Sequence, residues 1–358
     1  MHTAYALPPA SRTKFRDIPV DLLRGIAIAL MVGANTVPYL LLPPVPFPVR
    51  VLASLAAPLF ILLSGMMVAL SRTRKQYDLR YFLIRGGFVL LIAAGLEAVV
   101  WGIFPFIDMD VLFLIGISLP LAYLFLALDR RVRWGIILVL FCAAPVLQLA
   151  FGYPALPVQI PVAGAAGGIA GLSFTVTAGH WLVGGWFPVF PWLGFAFLGA
   201  ELGSIRWAGA GIRSFATGRF AAVGLGMLAT GIVLWSLFPG PQLVRYGYVE
   251  LFYPAVPGFC LVACGAILCM FVIADMLPPA SLPDPLRAMG ECSLAIYILH
   301  SVIIAWCIQP LNLLLPLPQF LLCVIAFIGG MCVFAYLLRR LRLAVAGQSL
   351  VVRFLMGG

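Results

Sequence analysis

Eight polar or ionisable side chains stand within or beside the long apolar stretches of this sequence: Asp21, Arg24, Asn35, Glu97, His180, Glu201, Glu291 and His300. Such groups are costly inside a bilayer unless they face a polar interior, a partner or a water-filled cavity. Each of them is therefore a candidate for binding or catalysis.

Asn35 and His300 are predicted to lie at similar depth. Asn35 follows Arg24 by eleven residues, and His300 follows Gly290 by ten. At a rise of 1.5 Å per residue they stand about 16 Å and about 15 Å along their helices, near the middle of a bilayer. A neutral imidazole can take a proton from an attacking amine or hydroxyl, and an amide can orient a reactant or stabilise an oxyanion. The alternative is that both are hydrogen-bonded packing residues. His180, at the predicted outer mouth, is a second candidate base.

A second group of residues could bind an anion at the inner end. Asp21 and Arg24 are three residues apart on one helix face, where they can form an ion pair and Arg24 can also bind an anion. Arg80 and Arg85 flank the start of a later apolar run, where their guanidinium groups could hold phosphates. Ordinary anchoring of the helices at the membrane surface explains these residues equally well.

The composition requires a membrane protein. Of the 358 residues, 63% are hydrophobic and only 9% are charged, against about 25% charged in soluble domains. In hydrocarbon each backbone amide must be satisfied within a helix or closed barrel, and the long apolar runs favour helices. We therefore predict one all-α domain over residues 1–358, a polytopic helix bundle. Its ten spans are 20–42, 51–70, 83–104, 111–128, 134–150, 186–205, 219–238, 257–276, 290–308 and 317–338.

The charges of the loops predict the topology. Lys and Arg collect in alternate loops, as in the groups Arg72 to Arg80 and Arg130 to Arg133, and the loops between carry few. By the positive-inside rule the segment 1–18 and the C-terminus are both cytoplasmic. The Gly- and Pro-rich segment 151–185 is then an outer loop, which we expect to fold back against the bundle. Gly199 and Gly203, four residues apart, indicate close helix packing.

The net charge and the cysteines indicate which ligands and metals the protein is expected to bind. The net charge of +10 is scattered over short loops, which favours anionic lipid head groups and soluble anions over nucleic acid. The eight cysteines all lie in apolar stretches, with no CxxC pair and no His at ligand spacing, so no metal is expected.

Five stretches carry a family resemblance. Residues 20–32 followed by Asn35 resemble the opening of the heparan-α-glucosaminide N-acetyltransferase family and its bacterial relatives, within a superfamily of transmembrane acyltransferases. Residues 58–65, 110–118, 190–194 and 290–300 resemble further motifs of that family in the same order. The resemblance spans nearly the whole chain.

The resemblance implies transfer of an acyl group, commonly acetyl, from cytosolic acetyl-CoA or another acyl-CoA to a sugar or amine on the far side. Arg24 with Asp21, Arg80 and Arg85 would hold the CoA phosphates, and Asn35 would orient the acyl carbonyl or the acceptor. The lysosomal enzyme has a catalytic His shortly after the Asn, whereas residues 36–48 contain none. The base would then be His300, His180 or neither, in which case the chain binds or moves a ligand without catalysis.

The same resemblance places the chain in the inner membrane of a bacterium, with a second copy as a candidate partner. The alternative is a polytopic lipid or solute transporter with a polar binding site at the midplane.

Overall fold

The computed structural model describes residues 16–164, 168, 173–209, 211–278 and 283–344. Within these ranges the chain forms helices and no strands. In chain order the helices are α1 (Ile18–Leu40), α2 (Phe47–Arg74), α3 (Leu79–Gly95), α4 (Val111–Phe125), α5 (Arg130–Phe151), α6 (Phe174–Gly179), α7 (Val189–Arg206), α8 (Gly218–Leu237), α9 (Pro257–Met276), α10 (Asp284–Glu291), α11 (Ser293–Ile303) and α12 (Leu317–Ala344). Short π-helices extend three of them, over Leu96–Trp101 after α3, His180–Gly184 after α6 and Ile304–Ile308 after α11.

Several helices begin at a short polar side chain that caps the first turn. Asp17, Asp78, Asp129 and Thr217 each accept a hydrogen bond from a backbone N–H of the helix that follows. Such caps satisfy donors that have no partner inside the helix. The helix starts are therefore fixed by sequence at the membrane surface, where the apolar runs begin.

The all-α polytopic fold is confirmed, and each of the ten predicted spans coincides with a helix. In the described ranges eight helices are long and apolar enough to cross a membrane. The pair Phe174–Gly184 and Val189–Arg206, bent by 48°, is a ninth candidate if it is counted as one broken span. The predicted span over residues 111–128 corresponds to α4, which has only 15 residues. At 1.5 Å per residue this helix is about 22 Å long, shorter than a typical bilayer core.

Contacts between loops sort the helix ends into two groups. At one end Arg206 binds Asp17 and Asp275, and Arg74 donates to the carbonyls of Gly209 and Gly211. We call it the inner end, because the loop charges predict that it is cytoplasmic.

At the opposite end, the outer end, Leu41 pairs with Leu315, and Arg50 donates to the carbonyl of Val249. Arg245 there donates to the carbonyl of Gly185. Eight or nine of the described helices or helix pairs meet the length and hydropathy of a crossing, so the even number of ten spans stays a prediction.

Glycines let α2 and α7 pack with their backbones in contact, as the Gly199 and Gly203 spacing predicted. A Cβ on Gly199 would lie 1.8 Å from the carbonyl oxygen of Leu62, and one on Gly65 would lie 1.9 Å from that of Ala196. Neither distance is sterically possible. The α2 and α7 pair therefore requires glycine at both positions.

The outer segment 151–185 packs against the bundle over its described part. The amide of Phe104 donates to the carbonyl of Ile160, and Arg245 donates to that of Pro154. The segment ends in the bent helix that leads into α7. Residues 165–167 and 169–172 of this loop, and Arg12 and Lys14 of the predicted cytoplasmic segment, lie outside the described residues.

Candidate active site

A cavity of about 430 Å³ opens in the outer half of the bundle between α1, α2, α4 and α11. Its volume lies within the usual range for small-molecule sites. Polar and ionisable side chains form much of its wall: Asn35, Tyr39, Glu97, Asp110, Gln159, Tyr246, Tyr248, Glu250, Tyr253, Tyr297, Ser301 and Gln309. Aromatic side chains complete it: Phe60, Trp101, Trp186, Phe187 and Phe252.

Asn35 and His300 meet at this cavity, as their depths predicted. The Nδ2 atom of Asn35 on α1 lies 3.0 Å from Nε2 of His300 on α11. Nδ1 of His300 lies 3.1 Å from the carbonyl oxygen of Ile296, one turn earlier. A carbonyl can only accept, so the imidazole proton sits on Nδ1 and Nε2 accepts from the amide of Asn35. The side-chain oxygen of Asn35 is then left to face the cavity.

Two glycines bring α1 into backbone contact with α10, the helix that precedes α11 and His300. A Cβ on Gly25 would lie 1.9 Å from the carbonyl oxygen of Leu286 in α10, and one on Gly290 would lie 2.3 Å from that of Asp21. The helix is interrupted at Cys292, which separates α10 from α11. The helix predicted over residues 290–308 therefore starts three residues later than predicted, at Ser293.

The two histidines differ in their relation to the cavity. The side chain of Asn35 lines it, whereas His300 is fully buried behind Asn35 and is absent from the wall. His180 is 7% exposed, lies beyond the wall of this cavity, and its Nδ1 has no hydrogen-bond partner. His300 is therefore linked to the cavity by its hydrogen bond to Asn35, whereas His180 does not line the cavity.

Three carboxyl groups face the cavity, and residue spacing did not single them out as a site. Asp110 caps α4 by accepting from the amide of Val111 at 2.7 Å, and Tyr297 donates its hydroxyl to the same carboxylate. Burial raises the pKa of Asp110 to about 6, although both hydrogen bonds act to lower it. Tyr297 also packs edge-on against His300, with ring centroids 5.1 Å apart. Asp110, Tyr297, His300 and Asn35 therefore form one connected cluster.

Glu97 and Glu250 stand elsewhere on the same wall. Glu97 is 7% exposed and Glu250 is 6% exposed, and one carboxylate oxygen of each has no hydrogen-bond partner. Burial raises the pKa of Glu250 to about 7, against the opposing charge of Arg50. The alternation of Tyr246, Tyr248 and Glu250, all on the cavity wall, is a signal that could have revealed this loop.

A second, narrower cavity of about 120 Å³ lies in the inner half. Arg24, Lys75 and Arg85 line it, together with apolar residues of α2, α3 and α4. Arg24 pairs with Asp21 at 3.6 Å, as predicted, and donates to Oγ of Ser293 at 3.1 Å. Arg80 is exposed and does not line this cavity.

Phe60 lines both cavities. The two spaces therefore approach each other from opposite ends of the bundle and share this side chain as a partition. Within the described part of the chain, no three His, Cys, Asp or Glu side chains are grouped as ligands for a metal ion.

These features define a polytopic membrane protein with two internal cavities that share Phe60 in their walls. Residues 16–238 match the family profile described as heparan-alpha-glucosaminide N-acetyltransferase, catalytic. The chain belongs to this family of membrane acetyltransferases. The match confirms the resemblance of the four motifs that lie within residues 16–238, and the motif at residues 290–300 lies beyond it. A search of curated protein sequences finds no match. Asn35, Glu97 and Asp110 lie in the matched region, whereas Glu250, Tyr297 and His300 follow it.

Proposed function

We propose that this protein transfers an acetyl group, from acetyl-CoA or another acyl-CoA at the inner end, to a sugar or amine at the outer end. The observation that carries the proposal is the pair of cavities that share Phe60. Together they give a donor and an acceptor separate approaches to one point inside the bundle. Membership of an acetyltransferase family supports the same chemistry.

The inner cavity suits the donor. Arg24, Lys75 and Arg85 supply positive charge for the CoA phosphates, and Asp21 together with Ser293 fixes the guanidinium of Arg24. The apolar wall between them and Phe60 suits the uncharged pantetheine arm that carries the thioester. Arg80 has no part in this proposal, because its side chain lies away from the cavity.

The transfer step needs a base and an orienting group. The acceptor nitrogen or oxygen attacks the thioester carbon, the carbon–sulfur bond breaks, and CoA leaves as a thiolate that takes up a proton. We assign the acceptor's proton to Asp110, whose carboxylate is held by Val111 and Tyr297. The oxygen of Asn35 aligns the acceptor, and His300 is a positioning residue that fixes the Asn35 amide. His180 is not used.

The donor site is tested with a pair of arginine variants of the full chain in nanodiscs. Arg85→Gln should weaken binding of acetyl-CoA about tenfold or more, because a charge-assisted bond to phosphate is lost. Arg80→Gln, five residues earlier in the same helix but outside the cavity, should bind acetyl-CoA normally. Equal effects of the two substitutions, or no binding of acetyl-CoA by the unaltered chain, would contradict the proposed donor site.

The transporter alternative makes use of the same pair of cavities, since a carrier also needs access from both ends. The two functions differ in their products. An acetyltransferase releases free CoA thiol in step with an acetylated acceptor, whereas a transporter moves its ligand unchanged.

We propose the inner membrane of a bacterium as the site of the acetyl transfer.

A further inference from the structure

One face of α2 lines both cavities, from the outer half of the bundle to the inner half. Its members recur every three or four residues, the spacing of one side of a helix: Ala53, Ala57, Phe60, Ser64, Met67 and Ser71. The members before Phe60 line only the outer cavity, and those after it line only the inner one. Phe60 is the one aromatic residue of this face, so its ring is the bulkiest group where the two cavities meet.

The partition between the cavities is thin on the neighbouring helices as well. On α4, Val111 lines the outer cavity and the adjacent Leu112 lines the inner one. On α11, Tyr297 lines the outer cavity, and Leu294, about 4.5 Å earlier along the helix axis, lines the inner one. Among the residues that the structure describes, only Phe60 lines both. Its ring is therefore the side chain that separates the two spaces on the α2 side.

The inner cavity is long and narrow. Its volume is about 120 Å³, and it extends along α2 from Ser71 to Phe60. These residues are eleven positions apart, which is about 16 Å along the helix axis. Lys75, at the Ser71 end, is exposed, so the cavity reaches the inner surface there. This shape suits a linear thioester arm, and the group at the tip of such an arm would meet the ring of Phe60.

We infer that Phe60 sets the length of the acyl group that the protein accepts. An acetyl group ends against the ring, whereas a longer chain would overlap it, and forcing extra methylene groups into a filled space is unfavourable. The inference rests on the proposed function for the identity of the donor, a CoA thioester in the inner cavity. Phe60 is a specificity-determining residue in this account and makes no bond to the reacting atoms.

Removal of the ring should give a longer acyl chain a place to go. Beyond Phe60 lies the outer cavity of about 430 Å³, and Ala56 and Ala57 form its wall one helical turn away. Met31 and Val111 add further apolar surface to this wall. Methylene groups that pass the position of the ring would therefore be buried against apolar side chains, which favours their binding.

Binding of two CoA thioesters to the full chain in nanodiscs, without any acceptor, tests the inference. The probes are acetyl-CoA and butyryl-CoA, which differ only by two methylene groups. Calorimetry gives each Kd. The unaltered chain should bind acetyl-CoA about tenfold or more tighter than butyryl-CoA. Phe60→Ala should reverse this order, with butyryl-CoA binding up to about tenfold tighter than acetyl-CoA.

Two further variants make the test specific. Phe60→Leu should give a preference between those of the unaltered chain and Phe60→Ala, and it decides the matter if Phe60→Ala does not fold. Phe327→Ala on α12 is the matched control, because Phe327 is also a partly buried phenylalanine packed against the core but lines neither cavity. It should keep the preference of the unaltered chain, and an equal shift in this variant overturns the inference.

The outcomes separate this inference from the proposed function. An unchanged preference for acetyl-CoA in the Phe60 variants, together with acetyl transfer by the unaltered chain, overturns the inference and leaves the proposed function standing. The expected change of preference without any acyl transfer supports the inference and contradicts the proposed function. Failure of the unaltered chain to bind either thioester overturns both.

Discussion

Asn35 donates from Nδ2 to Nε2 of His300 across 3.0 Å, and His300 in turn donates from Nδ1 to the carbonyl of Ile296. The imidazole is fully buried and only the amide lines the cavity. Because both nitrogens of His300 are engaged, its role is to fix which way the amide of Asn35 points. We therefore expect any effect of His300 on the proposed transfer to be transmitted through Asn35.

Substitution of His300 tests this positioning role. His300→Ala should lower kcat roughly 100-fold, the size seen when one positioned hydrogen-bonding group is removed, while the KM for acetyl-CoA stays nearly unchanged. His300→Gln should recover much of the rate, because its side-chain oxygen can again accept from Asn35. A loss confined to KM, or no difference between the two variants, would count against positioning.

The protonation of Asp110 predicts the pH profile. Burial raises the pKa of this carboxyl to about 6, and only the ionised form can accept a proton. The rate should therefore fall as the pH is lowered through about 6 and level off above it. Asp110→Asn should remove both the activity and this dependence. An unchanged profile in a still active Asp110→Asn protein would assign the base to another group.

The inner end contains a buried ion cluster of Arg206, Asp17 and Asp275, which should contribute strongly to the free energy of unfolding. Arg206 is 1% exposed and binds Asp17 at 2.5 Å and Asp275 at 2.7 Å. Arg206→Met leaves two buried carboxylates without their cation and should cost about 3–5 kcal/mol in thermal unfolding measurements. Arg130→Ala is the control, since Arg130 is 61% exposed and Glu201 keeps its bond to Arg133. Its effect should stay below about 1 kcal/mol, and equal losses would contradict the assignment.

The close contact of α2 with α7 predicts that alanine substitutions at two glycines, Gly199 and Gly226, have opposite effects on thermal stability. In Gly199→Ala the new methyl meets the carbonyl of Leu62, so the helices must separate, at a cost of about 1–3 kcal/mol or more. In Gly226→Ala no heavy atom lies within 4 Å of the new methyl, and alanine favours the helix. The melting temperature should fall for the first variant and hold or rise for the second. Equal melting temperatures would show that the close approach is not needed.

The sequence predicted the helices and the Asn35–His300 pair for the same physical reason. Apolar runs and loop charges fix where each span starts, and a helix has a constant rise per residue, so depth follows from counting. Glu97, Asp110 and Glu250 were not predicted as a site, because their meeting depends on how the outer loops fold. Those loops have no period that relates residue 97 to residue 250. The break at Cys292 was missed because no Pro stands at it and the predicted span began at residue 290, only two residues before it.

The most direct test of the account is transfer across a sealed membrane. The full chain is placed in proteoliposomes with acetyl-labelled acetyl-CoA inside and D-glucosamine outside. We predict labelled N-acetylglucosamine outside the vesicles, free CoA thiol inside in equal amount, and loss of both with Asn35→Ala. Product that forms only when donor and acceptor share one side, or that forms equally well with Asn35→Ala, would contradict transfer through the paired cavities.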